Sequence, residues 1–309
     1  YLLVPEGQPV PRGLDEDVSI LQEPLQNIYL VASGVMDMFA SVDAVDQIRF
    51  SGQKQENWYI QTAKDAMAAG DMIYAGKYSK PDYELLVSEG CDLAIENRMI
   101  THSPEVVEML QSFDIPVMIE YSSYEQHPLG KVEWVKFFGA LTGKEAEAEE
   151  AFAEQTEILE EVESGEKTGK TIAFFYVTSN GLIQVRQSTD YIPKLIELAG
   201  GRYIFEDLED SGSGRSTLNM QVEDFYAGAK DADILIYNSS IDGGVTTLDE
   251  LIGKCNILKD FKAVQEGQVY CTTNDMYQQS MAIGYLLQDM HTVLTDDDTA
   301  KLRYLFLLQ

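Results

Sequence analysis

The chain has 309 residues, 45% hydrophobic, 24% charged and 10% aromatic, a globular composition with enough apolar mass for two ordinary domains. Lys and Arg number 22 against 52 Asp and Glu, a formal charge of −30 with the basic residues scattered singly; such a field disfavours nucleic acid and anionic lipid as direct partners. No apolar stretch reaches the roughly 20 residues that a membrane-spanning helix requires.

Residues 27–33 read as a short buried parallel strand that ends at Gly34 and feeds a helix over 35–41. The unit recurs. Met-Ile-Tyr-Ala at 72–75 precedes a helix beginning near Pro81, Asp-Leu-Ala-Ile at 92–95 precedes one over 104–111, and Pro-Val-Met-Ile at 116–119 precedes one over 132–141. Strands alternating with helices of about 10–15 residues predict a parallel α/β sheet. Residues 144–163 are Ala- and Glu-rich without a breaker, which predicts one helix of about 30 Å. Its apolar positions Ala148, Ala151, Phe152, Ile158, Leu159 and Val162 fall mainly on one face, its other face is solvated acid, and Ser164-Gly165 ends it. The α/β rhythm then restarts: a strand over 171–177, a helix over 191–199 stopped by Gly200-Gly201, a helix over 222–229, strands over 233–237 and 267–271, and a helix over 278–290. The pattern predicts two Rossmann-like parallel-sheet lobes, 1–142 and 167–309, joined by one long helix within 143–166.

Catalytic signatures are absent from this pattern: no G-x-S-x-G elbow, no Walker A, and no G-x-G-x-x-G after a strand. Gly212-Ser-Gly214 follows Glu209-Asp210 and reads as a flexible polar loop. Cys91, Cys255 and Cys271 show no C-x-x-C spacing, so three buried inert thiols are expected, with a Cys255–Cys271 bridge left open. His102, His127 and His291 lie far apart, which argues against a dedicated metal site. Two polar tracts, 96–102 and 272–279, fall at strand ends. Ligands of open α/β sheets bind outside the carboxyl ends of the strands, and a cleft between two such lobes is a natural enclosure.

Over about 27–290 the chain resembles the class III extracytoplasmic solute-binding proteins of ABC importers, the group that delivers iron–siderophore, haem and cobalamin. The resemblance rests on an ordered set of residues. Gly76-Lys-Tyr-Ser-Lys-Pro-Asp-Tyr-Glu84 is similar to the family's Gly…Pro-Asn-x-Glu turn and helix. Cys91-Asp-Leu-Ala-Ile95 is similar to its Pro-Asp-Leu-Val strand, with Cys91 in place of proline. Phe113-Asp-Ile-Pro-Val117, Leu198-Ala-Gly-Gly201, Val222-Glu223 followed by Ala232-Asp-Ile-Leu-Ile236, Phe261-Lys-Ala-Val264 and Gly267-Gln-Val-Tyr270 follow in the family's order.

The resemblance implies a non-enzymatic ligand carrier with no intrinsic cofactor. It would be tethered outside the cell, periplasmic or on the cell surface, by a lipidated cysteine upstream of Tyr1, its only membrane contact. It further implies that Glu84 and Glu223, one on each lobe, dock on arginines of the ABC permease–ATPase complex. Each falls in the first turns of a helix, where the dipole favours a carboxylate. For the ligand the resemblance points to Lys77 and Tyr78. Arg98, Met99, Tyr121, Tyr124, Arg186, Asn238 and Tyr277 follow or flank strands in the same sense. Arginine and tyrosine suit the acidic groups and flat faces of a metal chelate or tetrapyrrole, and Met99, His102 and Met276 have the chemistry of axial haem ligands. Loop packing or capping is the plainer role for each. The rival class is an enzyme or a metallocluster or tetrapyrrole carrier built on a chelatase- or nitrogenase-like pair of α/β domains, which needs cysteines or histidines converging between the lobes.

Overall fold

The computed structural model describes residues 1–15, 18–209, 215–241 and 244–309; Gly212-Ser-Gly214 lies outside the described residues. The chain divides into two compact units. The first comprises Tyr1–Ser123, Glu133–Ala153 and Gln278–Met281, and the second Tyr124–Val132, Glu154–Tyr277 and Ala282–Gln309.

The first unit is built on a five-stranded parallel sheet, in spatial order Ile73–Tyr74, Ile48–Ser51, Ile28–Leu30, Leu93–Glu96 and Val117–Ile119. Ile28, Tyr29 and Leu30 are all fully buried, as a continuous apolar run in a two-sided parallel sheet must be. Asp92, just before its own strand, fixes that run's start: its Oδ2 accepts the backbone N–H of Gln26 at 3.0 Å and of Asn27 at 2.9 Å. The strand Ile48–Ser51 goes unpredicted because Arg49 interrupts its apolar run. Arg49 is half-exposed, and its guanidinium donates to the carbonyls of Gly70 and Asp71, both at 2.8 Å. The helix Gln61–Ala69 is likewise unpredicted, and Gly70 stops it at φ 84°. Tyr29, Val31, Phe50, Ala75, Leu86, Ala94 and Val106 form the core on one face of the sheet.

The second unit carries a mixed sheet. Its order is Thr217–Met220, Ile183–Arg186, Thr171–Val177, Ile234–Tyr237, Val269–Thr272 and Leu305–Leu307, with Arg202–Tyr203 also pairing Thr171–Val177. The predicted strands near 171–177, 233–237 and 267–271 pair in parallel, as does the short Arg202–Tyr203. The antiparallel additions Ile183–Arg186, Thr217–Met220 and Leu305–Leu307 are short or alternately polar, so no buried run announces them. Asp233 repeats the device of Asp92: its Oδ2 accepts the Thr171 N–H at 2.7 Å and the Thr171 hydroxyl at 2.8 Å. Phe225 sits in the core between Phe175 and Phe261, with ring centroids 4.9 and 5.5 Å away. Asp289, on the helix Ile283–Thr295, accepts backbone N–H bonds from Arg303, Tyr304 and Leu305 at 2.9, 2.6 and 3.0 Å and so anchors the strand Leu305–Leu307.

The Ala/Glu-rich segment forms one helix, Glu145–Glu163, preceded by the helix Pro128–Thr142. Its buried positions Ala148, Gln155, Leu159 and Val162 recur at helical spacing along one stripe. The close contact with the preceding helix comes at Gly139, where a Cβ would lie 2.4 Å from the Ala148 Cβ.

Candidate functional site

Three of the residues expected at the ligand meet in the second unit. Arg186 closes the strand Ile183–Arg186, Asn238 follows Ile234–Tyr237, and Tyr277 lies in the segment after Val269–Thr272. The Arg186 guanidinium donates to the Tyr277 phenol oxygen, and the Asn238 amide donates to the same oxygen at 2.6 Å. The guanidinium also pairs with the Asp190 carboxylate at 3.4 Å and stands 5.8 Å from the Phe174 ring centroid. The local sequence explains the fit. Asp190 is the N-cap of the helix Tyr191–Leu198, its Oδ1 accepting the Ile192 N–H at 3.0 Å, and this leaves Oδ2 for the arginine. The Tyr203 hydroxyl donates to the Arg186 carbonyl at 2.8 Å and accepts the Arg186 N–H at 3.1 Å.

Burial raises the Tyr277, Tyr191 and Tyr203 phenols above their ordinary values, so all three stay protonated at neutral pH. The Tyr277 oxygen therefore accepts from Arg186 and Asn238 while it keeps its own proton. No described residue accepts that proton. A half-buried phenol backed by a guanidinium is a polarised donor suited to an anionic oxygen.

In the first unit the expected residues lie on three separate segments. Lys77 and Tyr78 sit on a hairpin pairing Gly76–Lys77 with Lys80–Pro81, Lys77 exposed and Tyr78 half-buried against the core. The Tyr29 phenol donates to the Gly76 carbonyl at 2.8 Å. Only glycine fits at 76, at φ 90° with a would-be Cβ 2.2 Å from the Lys80 carbonyl oxygen. Arg98 and Met99 open the 3-10 turn Arg98–His102, which begins where the Asn97 Oδ1 accepts the Met99 N–H at 2.9 Å. Arg98 is half-buried, and Met99 and His102 are exposed. Tyr121 is exposed beside Ser122, whose N–H and hydroxyl donate to one Glu120 carboxylate oxygen at 2.9 and 2.6 Å. Tyr124, also exposed, is assigned to the second unit, where Met276 is buried.

Glu84 and Glu223 are both exposed, each the second residue of its helix, Tyr83–Ser88 and Val222–Ala229. Neither takes part in a salt bridge among the described residues. Cys91, Cys255 and Cys271 are free thiols; Cys255 and Cys271 lie in one core, and burial pushes the Cys91 thiol up to about 12. Among the described residues no group of three or more His, Cys, Asp or Glu is placed to hold a metal ion.

Sequence reasoning missed Asp190 and Tyr203, which orient Arg186, and gave no role to Glu96, the last residue of Leu93–Glu96 and the first of the tract 96–102. Its carboxylate is fully buried and has no hydrogen-bond partner among the described residues. A single acid ending the apolar run at 93–95 was the available signal.

Residues 31–276 match the periplasmic binding protein family. An uncharacterized lipoprotein of Methanocaldococcus jannaschii is 25% identical over 312 aligned residues, covering 95% of this chain and 72% of the relative. A possible iron-binding (periplasmic solute-binding) protein of Staphylococcus epidermidis superposes with a TM-score of 0.66 at 17% identity, over 87% of this chain and 98% of the other. A periplasmic heme binding protein of Vibrio cholerae superposes with a TM-score of 0.67 at 14% identity, over 86% of this chain and 98% of the other. At such identities the two structures establish the fold.

Proposed function

The chain belongs to the periplasmic binding protein family, and from that premise we propose that it is the extracytoplasmic solute-binding component of an ABC importer. Its solute is a metal chelate of the iron–siderophore, haem or cobalamin class, carried to the permease unaltered. The observation that carries this reading is the convergence of Arg186 and Asn238 on the Tyr277 phenol. The charge stands behind the phenol, and the phenol's free proton is offered to an oxygen that bears negative charge, as carboxylate, hydroxamate and propionate oxygens do. The converging donors are side chains that can hold a ligand, as a carrier requires.

The names of the similar proteins support the same reading: a lipoprotein, an iron-binding periplasmic solute-binding protein and a periplasmic heme binding protein. In this reading the chain is anchored to the membrane by lipid upstream of Tyr1. Glu84 and Glu223 then offer exposed carboxylates to permease arginines, and Lys77, Tyr78, Arg98, Met99, Tyr121 and Tyr124 supply further solute contacts. The test is a titration of the purified protein with hemin, ferrioxamine, ferrichrome and cobalamin, followed by absorbance and by thermal shift. Saturable binding of one of them with a raised melting temperature supports the proposal. Absence of binding across the panel, or turnover of an added chelate, overturns it.

A further inference from the structure

We propose that Glu96 is a protonation-controlled positioning residue that holds the three candidate solute segments of the first unit in place while its carboxyl is neutral. The geometry points to this residue because it adjoins the supports of all three. On its side-chain face, Glu96 shares the side of the sheet occupied by Ala94 and Tyr29, and Tyr29 holds the Gly76 carbonyl and with it the hairpin of Lys77 and Tyr78. Through the chain it leads directly into Asn97, whose side chain begins the turn carrying Arg98 and Met99. Through its backbone, the Glu96 carbonyl accepts the Glu120 N–H at 2.9 Å, and the Glu120 carboxylate fixes Ser122 beside Tyr121.

A neutral carboxyl fits this place and a charged one does not. The residue is 0% exposed, neither oxygen has a described partner, and no described cation pairs with it. The titratable groups that face it are phenols: Tyr29 on the adjacent strand and Tyr83 on the helix Tyr83–Ser88, with Glu105 beyond Tyr83. None of them compensates a carboxylate, and each is itself disfavoured as an anion by a second negative charge. Burial alone pushes the Glu96 carboxyl up to about 8. Above that pH a carboxylate at this buried position must draw in water or a cation, and the elements that would yield are the hairpin and the two turns, since the sheet beneath is continuous.

Only the consequence for solute depends on the function proposed above; the positioning itself is read without any solute. Hydrogen–deuterium exchange of the full chain is followed at residues 76–81, 97–102 and 120–122 between pH 6 and 9.5, corrected for the intrinsic pH dependence of exchange. Wild type is expected to lose protection in these segments by about tenfold for each pH unit up to the carboxyl's ionisation near 8, and to level off above it. Glu96→Gln, neutral at every pH, is expected to keep its protection constant. An unchanged wild-type profile, or equal loss in both proteins, overturns the proposal. Should the variant not fold, wild type alone decides by infrared spectroscopy. A carbonyl stretch of a buried protonated acid at pH 7 that disappears by pH 9.5 together with the protection supports the proposal, and its absence at pH 7 overturns it.

Discussion

Replacing Glu96 by Gln should change how stability depends on pH, and the structure sets the size of the change. The carboxyl is buried, which lifts its ionisation from an ordinary 4.5 to about 8. Between those values the folded protein keeps the proton that the unfolded chain has released. The stability contributed by the protonated carboxyl is therefore complete at acid pH, declines as pH rises through this window, and is gone above pH 8. At about 1.4 kcal/mol per pH unit, the full effect is roughly 4–5 kcal/mol in wild type, an upper figure because the surroundings relax. Glutamine keeps the shape and cannot ionise, so the difference between the two proteins should be largest at pH 9 and smallest near pH 5. Both tryptophans, Trp58 and Trp134, belong to the first unit, so their fluorescence in urea reports the unfolding of the unit that contains Glu96. Wild-type and variant midpoints that run parallel from pH 5 to 9 would refute the reasoning.

Three further outcomes follow from named contacts. Asp289→Ala leaves the Arg303, Tyr304 and Leu305 N–H groups without their acceptor and should cost roughly 2–4 kcal/mol, seen as a lower melting temperature by circular dichroism. Gly76→Ala forces a Cβ against the Lys80 carbonyl at a positive φ. It should destabilise the first unit by about 2 kcal/mol or more in urea, with weaker solute binding if the hairpin contacts solute. Glu84→Arg combined with Glu223→Arg should abolish solute uptake in cells while affinity measured on the purified protein stays unchanged; equal loss of both would place these residues at the solute instead.

What the sequence discloses and what it withholds divide along physical lines. The strand Thr171–Val177 and the helices Val222–Ala229 and Glu145–Glu163 are legible to within a residue, because a continuous buried run or an unbroken run of helix formers leaves few alternatives. Ile48–Ser51 and Thr217–Met220 are not, since Arg49 and Asn219 break the pattern and their pairing partners are distant in sequence. At the site, Arg186, Asn238 and Tyr277 could each be singled out as polar residues near strand ends. That they share one phenol oxygen could not, because their meeting depends on a sheet whose edge strands the pattern does not reveal. Glu96 is the opposite case: its place at the end of the apolar run 93–95 sets it apart only weakly among 52 acids, and full burial without a described partner is what distinguishes it.

The central claim is that a chelate binds, is released unchanged, and is recognised by the Tyr277 phenol. Native mass spectrometry of the protein loaded with the chelate it binds, beside Tyr277→Phe, measures this directly. One equivalent should be bound, the released chelate should keep its mass, and the variant should bind about tenfold more weakly for the loss of one hydrogen bond to a charged oxygen. A chelate recovered with altered mass, or equal affinity in the two proteins, would contradict the account.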